Sequence, residues 1–348
     1  MMKAFEKIKL KHLELRNHFV RSATHDYIQG EDGLMSEDQL KIYEELAKNE
    51  VGMIISGHLY VSPEGRASND QNSIAHDEVI PQLRKVVTAV HQYEGIFIAQ
   101  LAHAGAKARV EVPVGPSPLK LRDDVTCHEL TQEEIHQIRD AFIKAAIRAK
   151  LAGFDGVQVH MAHGYLLSEF TTPEHNLRSD EYGGTVKNRF RLAHEIITGI
   201  KKACGEDYPV FVKINSNVPT EDEAYEQDLH DILEQCQLLN VEAVELSGCD
   251  FYGKKRQDHL YYLERAKKMR QLVNLPLILV GGIRNLDDVN HVLDSGIELV
   301  SMSRPFICEP DLIQKFKAEQ SSKCVSCNAC FGLFYRKGKR CAFHSNNL

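Results

Sequence analysis

Hydrophobic positions along this chain fall into two repeating patterns. Short apolar runs, rich in valine and isoleucine, alternate with longer stretches whose apolar residues recur at every third or fourth position. The runs occupy residues 19–23, 51–57, 95–101, 154–160, 209–214, 241–246, 276–280 and 297–302, and each reads as a buried strand. Between them the helical period predicts helices opening at Ser36 with Gln39, at Thr131 with Glu134 and at Thr220 with Glu223, spacings that suit a capping box. Further helices are expected over 79–93, 189–203, 260–272 and 286–293, with a last one from about Glu309. Residues 5–15 alternate apolar and charged side chains and predict a small two-stranded ribbon. Only the third strand lacks a prompt helix, because residues 107–129 intervene.

Strict alternation of strand and helix implies a parallel sheet, and eight such units close into an α/β fold of the (β/α)8 TIM-barrel type. An open doubly wound sheet is the alternative, but no Gly-x-Gly-x-x-Gly follows the first strand. A length of 348 residues accommodates one barrel with additions. The expected division is a barrel over 1–318, carrying the N-terminal ribbon, and a cysteine-rich extension over 319–348.

In such a barrel the chemistry belongs at the C-terminal ends of the strands. Those ends carry Ala23, Thr24 and His25; Ser56 and Gly57; Gln100 with His103; His160, His163 and Tyr165; Lys213; Ser247; Gly281 and Gly282; and Ser303 and Arg304. Most conspicuous is 153–165, where a β-branched run breaks abruptly into two imidazoles and a phenol. The turns after strands seven and eight suit a phosphate, with backbone N–H groups of Gly282, Ser303 and Arg304 as donors. Each residue also has a plainer reading. His-x-x-His can be loop polarity, Gln100 a polar member of a barrel layer, Lys213 a solvated or acid-paired cation, and the glycines ordinary turns.

A net charge of −7 and a pI near 6.2 argue against a nucleic acid or an anionic membrane as partner. The basic run over 336–340 is too short to reverse this. No apolar stretch reaches the length of a membrane span, and the N-terminus lacks an apolar signal core, so a cytoplasmic protein is expected. The nine cysteines then read as thiols or metal ligands rather than a disulfide frame.

Several long motifs, in order, carry a resemblance. They include 17–23, 52–57, Gln100-Leu101-Ala102-His103-Ala104-Gly105, 153–165, 176–184, Asn188-Arg189, Val280-Gly281-Gly282 and Met302-Ser303-Arg304-Pro305. Along nearly its whole length the chain resembles the Old Yellow Enzyme family of FMN-dependent ene-reductases. That resemblance implies FMN as cofactor and NAD(P)H as reductant. It implies that Lys213 lies beside the flavin N1–C2=O edge, Gln100 at the pyrimidine ring, and Ala23, Thr24 and His25 along the O4–N5 edge. It further implies that His160 and His163 hold a substrate carbonyl and that Tyr165 donates a proton. The substrate expected is a small α,β-unsaturated carbonyl compound. Alternatives are amine oxidation of the demethylase type and a non-catalytic flavin electron carrier or redox sensor. His25, His18 and Ala106 depart from the usual residues of the family.

Cys324-x2-Cys327-x2-Cys330-x10-Cys341 has a metal-type spacing, and thiolates suit iron–sulfur or zinc. Here the resemblance points to the branch with trimethylamine dehydrogenase and 2,4-dienoyl-CoA reductase, where similar cysteines hold [4Fe–4S]. An electron-transfer partner or a homo-oligomer is compatible with this reading. Cys127, Cys204, Cys236, Cys249 and Cys308 read as core or surface thiols.

Overall fold

A computed structural model describes residues 3–30, 33–122, 125–218, 222–332 and 340–343. Eight parallel strands form its centre: β1 (Phe19–Arg21), β2 (Met53–Ile55), β3 (Ile96–Ala102), β4 (Gly156–Met161), β5 (Val210–Asn215), β6 (Val244–Ser247), β7 (Leu277–Val280) and β8 (Leu299–Met302). Each pairs with the next, and β8 returns to β1 through Val300–Phe19, Ser301–Val20 and Met302–Arg21. The sheet is therefore closed, and the expected (β/α)8 barrel is the observed fold.

The surrounding helices are α1 (Glu37–Lys48), α2 (Ile80–His91), α3 (Gln132–Ala152), α4 (Arg191–Cys204), α5 (Asp222–Leu238), α6 (Leu263–Leu272), α7 (Leu286–Asp294) and α8 (Leu312–Lys317). Helix α3 shows why they form. Thr131 and Glu134 cap its start reciprocally, and Gly153 ends it in a left-handed conformation (φ 99°). Between these signals Ile135, Ile138, Phe142, Ala145, Ala146 and Ala149 line one buried face. The Ser36–Gln39 box on α1 forms as expected, whereas Thr220 lies outside the described residues. Phe190 interrupts the helix expected over 189–203, leaving a short Val186–Arg189 turn before α4. The final helix begins three residues beyond Glu309 and is preceded by a five-residue helix, Arg304–Cys308, that the apolar pattern did not reveal.

The alternation of side chains along a strand sorts the barrel interior into layers. Val20, Met53, Ile55, Ile98, Phe211, Ile278 and Leu299 share one apolar cluster inside the ring. Leu10 and Leu15 of the ribbon, which pairs Ile8–Lys9 with Glu14–Leu15, join that cluster and plug this end of the barrel. One inward position further along the strands come Ser22, Gln100, Gln158, Lys213, Glu245 and Ser301, all buried and all polar. The layer above them opens into the site. The long insert after β3 folds into two short strand pairs, Val114–Gly115 with His128–Glu129 and Lys120–Arg122 with Val125–Thr126.

Candidate active site

A cavity of about 880 Å³ occupies the C-terminal mouth of the barrel. Ala23, Thr24, His25, His160, His163, Tyr165, Lys213, Gly281, Gly282, Ser303 and Arg304 all line it. Residues far apart in the chain are thus brought into one place, as a barrel requires. Gly57 and Gln100 are not among the lining residues. Gly57 sits behind the β1 end, where a Cβ would come within 2.7 Å of the Thr24 carbonyl oxygen, so it permits close approach of β1 and β2. The Gln100 amide donates to Gln158 Oε1 at 2.7 Å, inside the polar layer.

The β4 end places three proton-handling groups side by side. The His160 and His163 ring centroids lie 5.2 Å apart, and the Tyr165 ring stands edge-on to His160 at 5.1 Å. The chain achieves this by leaving extended geometry at His163 (φ 63°) and Gly164 (φ 67°) before a short helix, Leu166–Thr171. A non-glycine residue at positive φ is strained by about 1–3 kcal/mol. Three contacts hold it: its N–H donates to Asn215 Oδ1 (3.2 Å), its carbonyl accepts from Lys107 Nζ (2.7 Å), and its Nε2 pairs with Ser247 Oγ (2.9 Å).

Electrostatics keep both imidazoles neutral. Burial, followed by the nearby cations Lys213 and Lys107, lowers the His163 pKa to about 3. Burial, His163 and Lys213 hold His160 well below its ordinary value. Burial, together with Tyr27 and Tyr252, raises the Tyr165 phenol, which therefore stays protonated. The pair thus offers N–H donors rather than charges.

Lys213 is not a solitary cation in the mouth. Its Nζ donates to Ser22 Oγ at 2.8 Å and lies 3.2 Å from Glu245 Oε2. Both side chains are almost wholly buried. Glu245, Gln158, Ser22 and Asn215 escaped the sequence reading, whereas Ser247 is one of its strand-end residues. The signal for them was a polar residue at an inward position of an otherwise apolar strand, as in Val244-Glu245-Leu246 and Val157-Gln158-Val159. Removing one member of such a buried pair costs about 3–5 kcal/mol.

At the opposite wall, Gly281 (φ 129°) and Gly282 (φ 76°) adopt backbone conformations that disfavour any side chain. A Cβ on Gly282 would meet Leu260 N and the Tyr261 ring at 2.7 Å. Thr24 Oγ1 and Ser303 Oγ, 2.7 Å apart, tie the ends of β1 and β8 together. His25 Nε2 pairs with Asp70 O (2.8 Å), and its ring stacks on Tyr27 at 3.8 Å. These features fit FMN. The cavity is large enough for a planar cofactor with a substrate, the Gly281–Gly282 backbone lines it, and His160 Nδ1 is buried with no partner among the described residues.

The extension lies against this site. Arg304 Nη1 donates to Asn328 Oδ1 at 2.6 Å, and the Phe331 ring packs 5.7 Å from Phe251 and 5.1 Å from Tyr252. Cys324, Cys327, Cys330 and Cys341 line a second cavity of about 290 Å³. Cys308, read from sequence as a core or surface thiol, lines it too, because the unexpected Arg304–Cys308 helix turns it toward Cys341. No three of these sulfurs lie within 4.8 Å of one another among the described residues.

Comparison with known proteins supports the fold and shows the family. Residues 3–323 match the model of the NADH:flavin oxidoreductase / NADH oxidase family. A 4,4'-dithiodibutanoate disulfide reductase of Rhodococcus erythropolis is 30% identical, over 97% of this chain and 94% of its own. An NADH oxidase of Thermoanaerobacter brockii is 30% identical over 94% of this chain, which spans about half (53%) of that protein's length. The structure of the Old Yellow Enzyme homologue from Zymomonas mobilis superposes with a TM-score of 0.82 at 27% identity, covering 92% of this chain and 95% of that one. With its barrel closed, this chain belongs to the NADH:flavin oxidoreductase / NADH oxidase family and is an FMN- and NAD(P)H-using oxidoreductase of the Old Yellow Enzyme type.

Proposed function

We propose that this protein reduces activated C=C bonds of α,β-unsaturated carbonyl compounds with electrons from NADH or NADPH. The observation that carries the proposal is the trio His160, His163 and Tyr165 on one cavity wall, two neutral imidazoles beside a protonated phenol. FMN, when bound, would supply the hydride exchange between the nicotinamide and the substrate β-carbon. The chain's own residues do the rest. His160 and His163 donate hydrogen bonds to the carbonyl oxygen, where charge develops, an effect worth about 3 kcal/mol per donor. Tyr165 supplies the proton to the α-carbon. Lys213 provides the cation at the cofactor, Ala23, Thr24 and His25 its near edge, and Gly281, Gly282, Ser303 and Arg304 the phosphate end. Gln100 and Gly57 contribute from behind this surface, through Gln158 and Thr24.

The extension over 319–348 is proposed as a metal module rather than a second catalytic domain. The Cys-x2-Cys-x2-Cys-x10-Cys spacing and the 290 Å³ cavity that Cys324, Cys327, Cys330 and Cys341 line support an iron–sulfur cluster there, with zinc as the alternative. Its contact with Arg304 favours a second reading, in which electrons from an oxidised amine leave the flavin through the module to a partner protein. Anaerobic mixing with NADH or NADPH and then with cyclohexenone separates the two. Bleaching of the flavin followed by recolouring on enone supports the reductase. Bleaching by an amine but by neither nicotinamide, or recolouring only with a protein acceptor, supports the second reading.

A further inference from the structure

Both carboxylate oxygens of Glu245 are engaged inside the barrel. Its Oε1 accepts from Ser22 Oγ and Ser301 Oγ, each at 2.7 Å. Its Oε2 accepts from Gln158 Nε2 at 3.0 Å and faces Lys213 Nζ at 3.2 Å. The side chain has no solvent exposure. Burial by itself pushes this carboxyl upward, yet Lys213 and the three hydrogen bonds prevail and hold its pKa below the ordinary value. An ionised carboxylate is therefore fixed directly behind the one cation that the site presents from β5. The register explains the placement, because Lys213 and Glu245 are paired neighbours on adjacent parallel strands.

We infer that Glu245 is a positioning residue for the redox chemistry: by balancing Lys213, it sets how strongly the site favours the reduced flavin. The inference rests on the reading that Lys213 faces FMN. Hydride transfer from NAD(P)H brings two electrons and one proton and releases NAD(P)+, so the bound flavin gains one negative charge. A lone buried cation stabilises that charge strongly. A cation paired at 3.2 Å acts as a dipole and stabilises it less. Glu245 thereby keeps the flavin reducing enough to pass hydride onward, and Gln158 extends the same network to Gln100.

The test is the two-electron midpoint potential of the FMN-reconstituted protein. Glu245→Gln keeps the shape and removes the charge, and its midpoint should rise by at least about 30 mV, a tenfold preference for the reduced state. Lys213→Met should lower the midpoint, the double variant should return close to the parent, and Glu245→Asp should restore most of the parental value. An unchanged midpoint in Glu245→Gln with a lowered one in Lys213→Met overturns the role of Glu245 and leaves the cofactor reading standing. Unchanged midpoints in both overturn that reading and the inference with it. Should Glu245→Gln fail to fold, the double variant decides: it should fold and hold FMN because neither charge is left alone, and equal failure would overturn the charge balance.

Discussion

Glu169, on the short helix Leu166–Thr171, accepts from the Ala106 N–H and shows how much one residue's surroundings matter. Burial raises its pKa to about 8, against the opposing pull of the Ala106 N–H and Lys107. A carboxyl whose folded value exceeds its unfolded value near 4.5 contributes stability below that value and loses it as pH climbs through about 8. Glu169→Gln should therefore melt a few degrees above the parent at pH 8 and no higher at pH 5, by differential scanning calorimetry. Tyr165 answers a different question. Tyr165→Phe removes the proposed proton donor but leaves the rest of the cavity wall, so the enone half-reaction should slow about 100-fold or more while reduction of the flavin by nicotinamide stays close to the parental rate. Stopped-flow measurement of both halves checks this, and equal slowing would remove Tyr165 from the proton step. Residue identities such as Tyr165 and Lys213 stand out from their neighbours in the chain. The charge state of the Tyr165 phenol does not, because it comes from burial and from Tyr27 and Tyr252, both distant in the chain.

Secondary-structure elements were largely legible, for local reasons. Capping boxes and apolar spacing define α1 and α3 almost to the residue, since the groups that begin a helix lie within a turn of it. The break at Phe190 and the short Arg304–Cys308 helix were not legible, because each is imposed by what packs around it. The turn after β7 belongs to the legible class, and its glycines carry a prediction. Gly282→Ala places a Cβ 2.7 Å from Leu260 N, at a φ of 76°. It should weaken FMN retention at least tenfold without changing helix content, as read by flavin-fluorescence titration and circular dichroism. Retention at the parental level would show that this turn does not make room for the phosphate.

At the scale of the molecule, the barrel mouth and the cysteine extension form one continuous region. Arg304, at the β8 end, contacts Asn328, and Phe331 closes over Phe251 and Tyr252 at the cavity rim. If the thiols hold a cluster, anaerobically purified protein should contain iron and sulfide together, with broad visible absorbance beyond the flavin bands. Cys327→Ser should lose both while keeping FMN. Stoichiometric zinc without iron would instead identify a structural site. No helix among the described residues is long and apolar enough to cross a membrane.

Periodicity, caps and strand-end motifs in the sequence determined the eight strands, most of their helices and the residues that stand at the strand ends. These are short-range properties, written within a few positions of one another. Only the tertiary structure decided which inward-facing side chains meet: Glu245 beneath Lys213, Gln158 beside Gln100, Ser247 against His163, and Cys308 among the other thiols. The physical reason is barrel closure. It fixes the register between strands that lie tens of residues apart, and register alone determines which buried charge finds its partner.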